Sequence, residues 1–345
     1  MRQLKSIGRA AILSVLTLSA FDVRAQPLSS GAVYTADEKA GSVSVIDLRT
    51  ETVKSVPVSV MPHNIQISPD GRRLYATGMS MAGGGHAAHG GGKADGKLLV
   101  FDAGNVAGGP VTDVALGPHP AHVVTSADGK TAFVTESETN VVQVVDLAAG
   151  KVSRNIKTGT YPHGLRLSPD GRELYVANMR SGDLSVIDAE KQTESARIKL
   201  GKTPVQVGFS PDGRLVVVSL NGENQIAIVD REKRQVLAKV AVGRGPVQVY
   251  VSPDSRRAYV ANQGSERNPD NSVSVIDLAA RKVVATVITG KGAHGVAVSE
   301  DGKVVFVTNT ADGTVSAIDA DTAKVVRTFK VGAGPNGVTF RARAL

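Results

Sequence analysis

Apolar and polar residues alternate with a period of two along nearly the whole chain. Between residues 163 and 200 the runs HGLRLS, ELYVAN, DLSVID and SARIKL each alternate and are parted by Gly, Asp, Pro and Asn. Alternation over roughly 4–8 residues, bounded by such breakers, predicts short β-strands with one face inward.

These strands belong to a repeat. The segment LYVANMRSGDLSVIDAE at Leu174 to Glu190 recurs as AYVANQGSERNPDNSVSVIDL at Ala258 to Leu278 and as VFVTNTADGTVSAIDA at Val305 to Ala320. Each copy closes on a hydrophobic–Asp pair, and its aspartates are Asp47, Asp102, Asp146, Asp188, Asp230, Asp277 and Asp319, spaced by 55, 44, 42, 42, 47 and 42 residues. A second marker lies between them: Ser68-Pro-Asp-Gly71, Ser126-Ala-Asp-Gly129, Ser168-Pro-Asp-Gly171, Ser210-Pro-Asp-Gly213, Ser252-Pro-Asp-Ser255 and Glu300-Asp-Gly302. Pro fixes φ, Asp caps its own backbone and Gly accepts a positive φ, so this is a tight turn. Six such turns for seven hydrophobic–Asp pairs imply that one unit is split between the chain ends. Its first strand is Gly337 to Arg341, and its remainder is Ala32 to Val60. Four strands per unit and seven units predict an all-β, seven-bladed β-propeller of four antiparallel strands per blade, closed by pairing the N- and C-terminal strands. The predicted domain runs over 31–341, with a Gly/His/Met-rich insertion at 79–97.

Tyr175-Val-Ala-Asn178, Tyr259-Val-Ala-Asn262 and Phe306-Val-Thr-Asn309 each precede an SVxVID-type strand and follow a turn of the Pro-Asp-Gly kind. In these residues the chain resembles the YVTN-type β-propeller repeat family over nearly all of 31–341. The resemblance implies an exported or surface-layer propeller, some members being associated with DNA binding and related seven-bladed propellers including lactonases. Val33-Tyr-Thr-Ala36, Tyr75-Ala-Thr-Gly78 and Val217-Val-Ser-Leu220 depart from the motif. A shared fold does not transfer an activity.

Composition narrows the chemistry. The 345 residues include no Cys and no Trp, and aromatics are 4%. The core is therefore aliphatic. Disulfides, Cys-zinc sites, iron–sulfur clusters, Cys nucleophiles and covalent c-type heme are excluded. Arg2, Lys5 and Arg9, then the apolar run Ala10 to Ala20, then Val23-Arg24-Ala25, read as a signal peptide over 1–25, cleaved after Ala25. The run is too short to span a membrane, and no later one is longer. Export predicts a periplasmic or secreted protein. The formal charge is +8, and removal of residues 1–25 takes away a net +3 and leaves +5. That is mildly basic, with no Lys/Arg run of the kind that marks a nucleic-acid patch.

Up-and-down connectivity alternates the turns between two faces. The Pro-Asp-Gly turns share one face, and the loops that enter the inner strands share the other, the top. His63, His163 and His294 each stand seven residues before the Asp of their turn, so they form one layer near the channel mouth. Ala121, Val205, Val247 and Asn336 hold the equivalent positions, and His122 is one residue further along. His119 and Met61 fall in loops on the top, as does Met179. His86, His89, Met79 and Met81 belong to the insertion. Imidazole suits copper, zinc, nickel or iron, and thioether selects soft copper. The candidate metal ligands are therefore His63, His86, His89, His163, His294, Met79 and Met81, with copper favoured and zinc the alternative.

The expected function is a periplasmic binding or scaffold protein, its top face taking a metal, a small ligand or a protein partner. A competing expectation is an enzyme of lactonase or cofactor-dependent redox type. Its polar residues at the channel mouth would include His122, Arg166, Asn178, Asn262, Asn309 and Asn336, although each Asn also has a plain role at a strand end. Visible top-face carboxylates are few, Glu136, Glu223 and Glu266, which counts against acid–base catalysis. No G-x-S-x-G elbow or G-x-x-x-x-G-K-[ST] loop occurs. Nucleic-acid binding is the weakest expectation, resting on Tyr161, Arg166, Arg180, Arg244 and Tyr250 near the top.

Overall fold

The computed structural model describes residues 28, 30–81 and 96–342. Within them lie 28 strands, β1 to β28 in chain order, forming seven four-stranded antiparallel sheets. Six sheets are consecutive quartets, beginning with β4 (Val60–Ile67), β8 (Pro120–Thr125), β12 (Pro162–Leu167), β16 (Pro204–Phe209), β20 (Pro246–Val251) and β24 (Ala293–Val298). The seventh has the order β28 (Pro335–Arg341), β1 (Ala32–Asp37), β2 (Ser42–Asp47), β3 (Thr52–Pro57). The inner strands touch in the cycle β4, β8, β12, β16, β20, β24, β28 and back to β4. The chain is a closed seven-bladed propeller whose last blade is shared by the two ends.

The alternating pattern acts through the gaps between blades. Seven apolar clusters fill the seven interfaces. One joins Tyr175, Leu184 and Val186 of the third blade to Val216, Val218 and Val229 of the fourth. A single sheet exposes both faces, and stacking around an axis buries both. The outermost strands show why the alternation fades there: β3 has no fully buried residue. At the closure, Ala32 pairs with Arg341 and Asp37 with Pro335. Phe340 stacks on Phe306 of the sixth blade at 5.7 Å, which locks the C-terminal strand to its neighbour.

The turns follow the sequence logic. In the first blade Ser68 Oγ donates to Asp70 Oδ1 at 2.6 Å, and the same carboxylate oxygen accepts the Arg72 N–H at 3.0 Å. The hydrophobic–Asp turns use the same device, as where Asp47 Oδ1 accepts the Arg49 N–H at 2.8 Å. Ser255 takes the place of the turn glycine and holds φ +62. One alignment read from sequence is corrected. The split-blade copy of Tyr175-Val-Ala-Asn178 is Tyr34-Thr-Ala-Asp37, one residue later than Val33 to Ala36. Asp37 pairs with Ser42 where Asn178 pairs with Asp183.

Candidate metal centre at the axial histidines

The site begins with a backbone irregularity repeated around the ring. In all seven blades the inner strand slips register against its neighbour near its first residues, between Pro62 and Asn64, Pro120 and Val123, Pro162 and Leu165, Pro204 and Val207, Pro246 and Val249, Ala293 and Val296, and Pro335 and Val338. An extra residue in one strand bends it and re-aims its side chains. Here two successive positions sit at the channel mouth. The first carries His63, His163, His294 and Asn336; the second carries Asn64, His122, Gln206 and Gln248.

Three imidazoles meet at this mouth. The ligand nitrogens of His63, His122 and His163 lie within 4.8 Å of one another. Their ring centroids are 5.6, 5.2 and 4.8 Å apart for the pairs 63–122, 63–163 and 122–163. His63 Nε2 is 3.2 Å from His163 Nε2. The remote nitrogens face oxygens. His63 Nδ1 lies 3.3 Å from Glu38 Oε1. His163 Nδ1 lies 3.3 Å from Val205 O, and His294 Nδ1 lies 3.2 Å from Asn336 O. For His163 and His294 the carbonyl acceptor assigns the hydrogen to Nδ1 and leaves Nε2 directed elsewhere, whereas His63 Nδ1 meets the Asn336 amide nitrogen at 3.1 Å as well as Glu38. His122 differs: the amide nitrogen of Gln206 donates to its Nδ1 at 3.1 Å, which assigns its hydrogen to Nε2. Gln206 is fixed in this sense because its Oε1 accepts the Val207 N–H at 2.8 Å. Gly164 permits the close approach of the third and fourth blades. A Cβ there would lie 2.4 Å from Val205 O, the carbonyl that His163 uses.

The charges follow from burial and neighbours. Burial pulls the His63 imidazolium toward neutrality, but the Glu38 charge and hydrogen bond outweigh it and raise its pKa above 6.5. Glu38 is pushed up by burial and pulled further down by His63 and Asn336, ending at about 2. Asn336 Nδ2 donates to Glu38 Oε2 at 2.6 Å. Burial, reinforced by the His63 charge, lowers His163 to about 3; burial and His63 likewise lower His294 to about 4. His122 is held well below its usual value by burial first, then by His163 and His63. Glu38 thus favours the imidazolium form of His63 beside rings held neutral. The Nε2–H of that form points at the lone pair of His163 Nε2.

The structure sorts the residues expected at the site. His63 and His163 come together, His122 joins them, and His294 stands in the same layer outside the three-ring cluster. His86 and His89 lie outside the described residues. Met79 pairs with Met61, one pair in from the end of the ladder between the first two strands of its blade. The Met81 sulfur packs over Gly41. Of the four expected asparagines, Asn336 lies at the mouth, against Glu38 and His63, and the other three do not. Asn178 donates to Asp183 and Ser185, both at 2.9 Å; Asn262 to Ser272 and Ser274, both at 3.0 Å; Asn309 to Thr314 and Ser316, both at 3.0 Å. Each is fully buried inside its own blade, where it braces the turn between the second and third strands. Arg166 is also displaced. Three residues beyond His163, it borders a cleft near the opposite mouth with Tyr250, so neither belongs to the top. Among the expected carboxylates, Glu136 is turned inward onto the Thr139 and His119 N–H groups, and Glu223 onto Lys202 and Lys239.

Glu38, Gln206 and Gln248 were missed. Glu38 directly follows Asp37 in a top-face turn, and the one-residue misalignment of that blade hid it. The glutamines follow Val205 and Val247 as His122 follows Ala121, so the histidine register itself marks them.

The chain is similar to known propellers. A family model described as a YNCE-like beta-propeller matches residues 109–269, and one described as a cytochrome D1 heme domain matches residues 216–335. These support the propeller part of the expected resemblance; the YVTN-type family is not the one that matches by name. No curated protein matches the chain. A solved structure of hydrazine synthase from Kuenenia stuttgartiensis is similar at 22% identity with a TM-score of 0.69, covering 81% of this chain and 89% of that one. At that identity the likeness speaks for the fold. Among the described residues no helix is long and apolar enough to cross a membrane. A heme does not fit the histidine layer. The ring centroids of His63, His122 and His163 are 4.8–5.6 Å apart, so a planar macrocycle cannot lie between them.

Proposed function

We propose that this chain is an exported periplasmic propeller that binds one divalent d-block cation at its top mouth, with His63 and His163 as ligands and His122 beside them, joining as a third ligand only when its Nε2 gives up the hydrogen that Gln206 now places there. The observation that carries the reading is the 3.2 Å separation of two Nε2 atoms whose Nδ1 partners are already in place. Metal-ligating imidazoles characteristically donate their other N–H to a carboxylate or a carbonyl, which fixes ring and tautomer. A tetrahedral ion with bonds of roughly 2.0–2.1 Å spaces its nitrogens by roughly 3.3 Å, close to the separation found. The grouped donors are all imidazole, which suits copper(II) and zinc, with copper bound more tightly. Export rests on the basic and apolar pattern of residues 1–25, which lie outside the described structure. The test is calorimetric titration of the mature chain with copper(II) and with zinc. A 1:1 site lost in His63→Ala and His163→Ala supports the reading. Unchanged binding in both variants removes it.

A second reading, an enzyme, draws on the Glu38–His63 pair. A carboxylate that orients an imidazole is half of a general base. Metal-independent hydrolysis of a lactone, abolished in Glu38→Gln, would favour it over metal binding.

A further inference from the structure

The opposite end of the channel carries chemistry that the histidines do not use. Arg166, Gly208 and Tyr250 occupy the same position of three consecutive inner strands, β12, β16 and β20. They border a cleft of about 190 Å³. Pro169, Phe209 and Pro211 supply the apolar part of its walls. The Arg166 guanidinium makes one hydrogen bond, to Leu165 O at 3.3 Å, and pairs with no carboxylate among the described residues. A guanidinium has five N–H donors and stays charged in proteins, so this one has most of its capacity unspent. Gly208 explains the space between Arg166 and Tyr250. A Cβ there would meet only ordinary contacts, the nearest at 3.4 Å from Val249 O. The fold does not demand glycine at this point, and what its absent side chain provides is the cleft.

We propose that this cleft binds a small monocarboxylate with an apolar body, its oxygens on Arg166 and the Tyr250 hydroxyl and its body against Pro169, Phe209 and Pro211. The planar guanidinium fork matches a carboxylate, and apolar walls with a few polar anchors favour an organic acid over an inorganic anion. The site is independent of any metal at the histidines.

The test is calorimetric titration of the mature chain, with chelator present, using benzoate, hexanoate and inorganic phosphate as probes. Benzoate or hexanoate should bind saturably at 1:1, and phosphate about tenfold more weakly or not at all. Arg166→Gln should weaken carboxylate binding by about tenfold or more, the usual loss for a charge-assisted bond. Gly208→Val should block the cleft while keeping the arginine, and it decides the matter if Arg166→Gln fails to fold. Absence of saturable carboxylate binding in the millimolar range overturns the proposal. So does binding that survives both substitutions, or phosphate binding as tight as that of the carboxylates.

Discussion

His63 Nε2 lies 3.2 Å from His163 Nε2 although 100 residues separate them in the chain. Two lone pairs cannot face each other at that distance. The Glu38 carboxylate eases the conflict by raising the pKa of His63 and so favouring the form whose Nε2–H points at the His163 lone pair. A cation would take the place of that proton.

Metal binding should therefore release protons from His63, and affinity should rise with pH until His63 is neutral in the free protein. Titration in buffers of different ionisation enthalpy measures the number released. Glu38→Gln removes the charge that raises the His63 pKa, so proton release at pH 7 should shrink. Equal release in the wild type and in Glu38→Gln would separate His63 from the metal.

Stability should fall in acid for a reason that the site supplies. His163 and His294, lowered to about 3 and about 4, and His122, lowered further than its usual range, stay neutral in the fold while the unfolded chain takes up protons below pH 6.5. Their contribution is present above 6.5 and is lost as pH falls through 6.5 toward 4, each group adding up to about 1.4 kcal/mol per pH unit. Glu38 adds a loss from about 4.5 down to about 2. His63 has the opposite sign: its stabilisation is complete below 6.5 and is lost as pH rises through its raised value. Urea denaturation between pH 6.5 and 4.5 should show a shallower dependence for His294→Gln than for the wild type. An unaltered slope would mean that His294 is not held neutral by the fold.

The buried asparagines should behave as braces. Asn178→Ala removes two hydrogen bonds from Asp183 and Ser185 inside the third blade, and leaving such groups unsatisfied costs roughly 1–3 kcal/mol. Chemical denaturation should show that loss while metal affinity stays within about twofold. A large fall in affinity without a loss of stability would return Asn178 to the site.

The contrast between asparagines and histidines shows what the sequence can and cannot carry. Blade number, strand order and the split blade followed from the spacing of Asp47, Asp102 and their successors, because a period-two strand exposes its alternation directly. The layer of His63, His163 and His294 followed from a fixed offset to each turn. Whether a side chain at a strand end points to the axis or into its own blade depends on the backbone slip near Pro62, Pro162 and Ala293, and a slip of one residue leaves no mark in composition. Arg166 was misplaced for a related reason, since three residues along an inner strand carry a side chain most of the way to the other mouth. Glu38 depended on aligning Asp37 with Asn178, and an acid in place of an amide concealed the match.

Phe340 should matter to closure beyond its area. It stacks on Phe306 and holds β28 against the sixth blade while the same strand pairs with β1. Phe340→Ala should cost about 3–5 kcal/mol and lower the unfolding midpoint without splitting the transition, because the ring closes as one unit. Two separated transitions would show that the last blade opens on its own.

Gln206 offers the sharpest test of the third ligand. Its amide donates to His122 Nδ1, so the structure assigns the hydrogen of that ring to Nε2, the nitrogen that would otherwise face the ion. Gln206→Glu replaces that donor by an acceptor. Nδ1 then takes the hydrogen, and Nε2 presents a lone pair beside those of His63 and His163. The other carboxylate oxygen can keep the Val207 N–H. A carboxylate behind a ligating imidazole changes metal affinity by roughly 10–100-fold. Zinc should therefore bind Gln206→Glu on the order of tenfold more tightly than the wild type, and His122→Ala should erase the gain. If the gain persists without His122, the added charge alone attracts the ion and His122 is not a ligand.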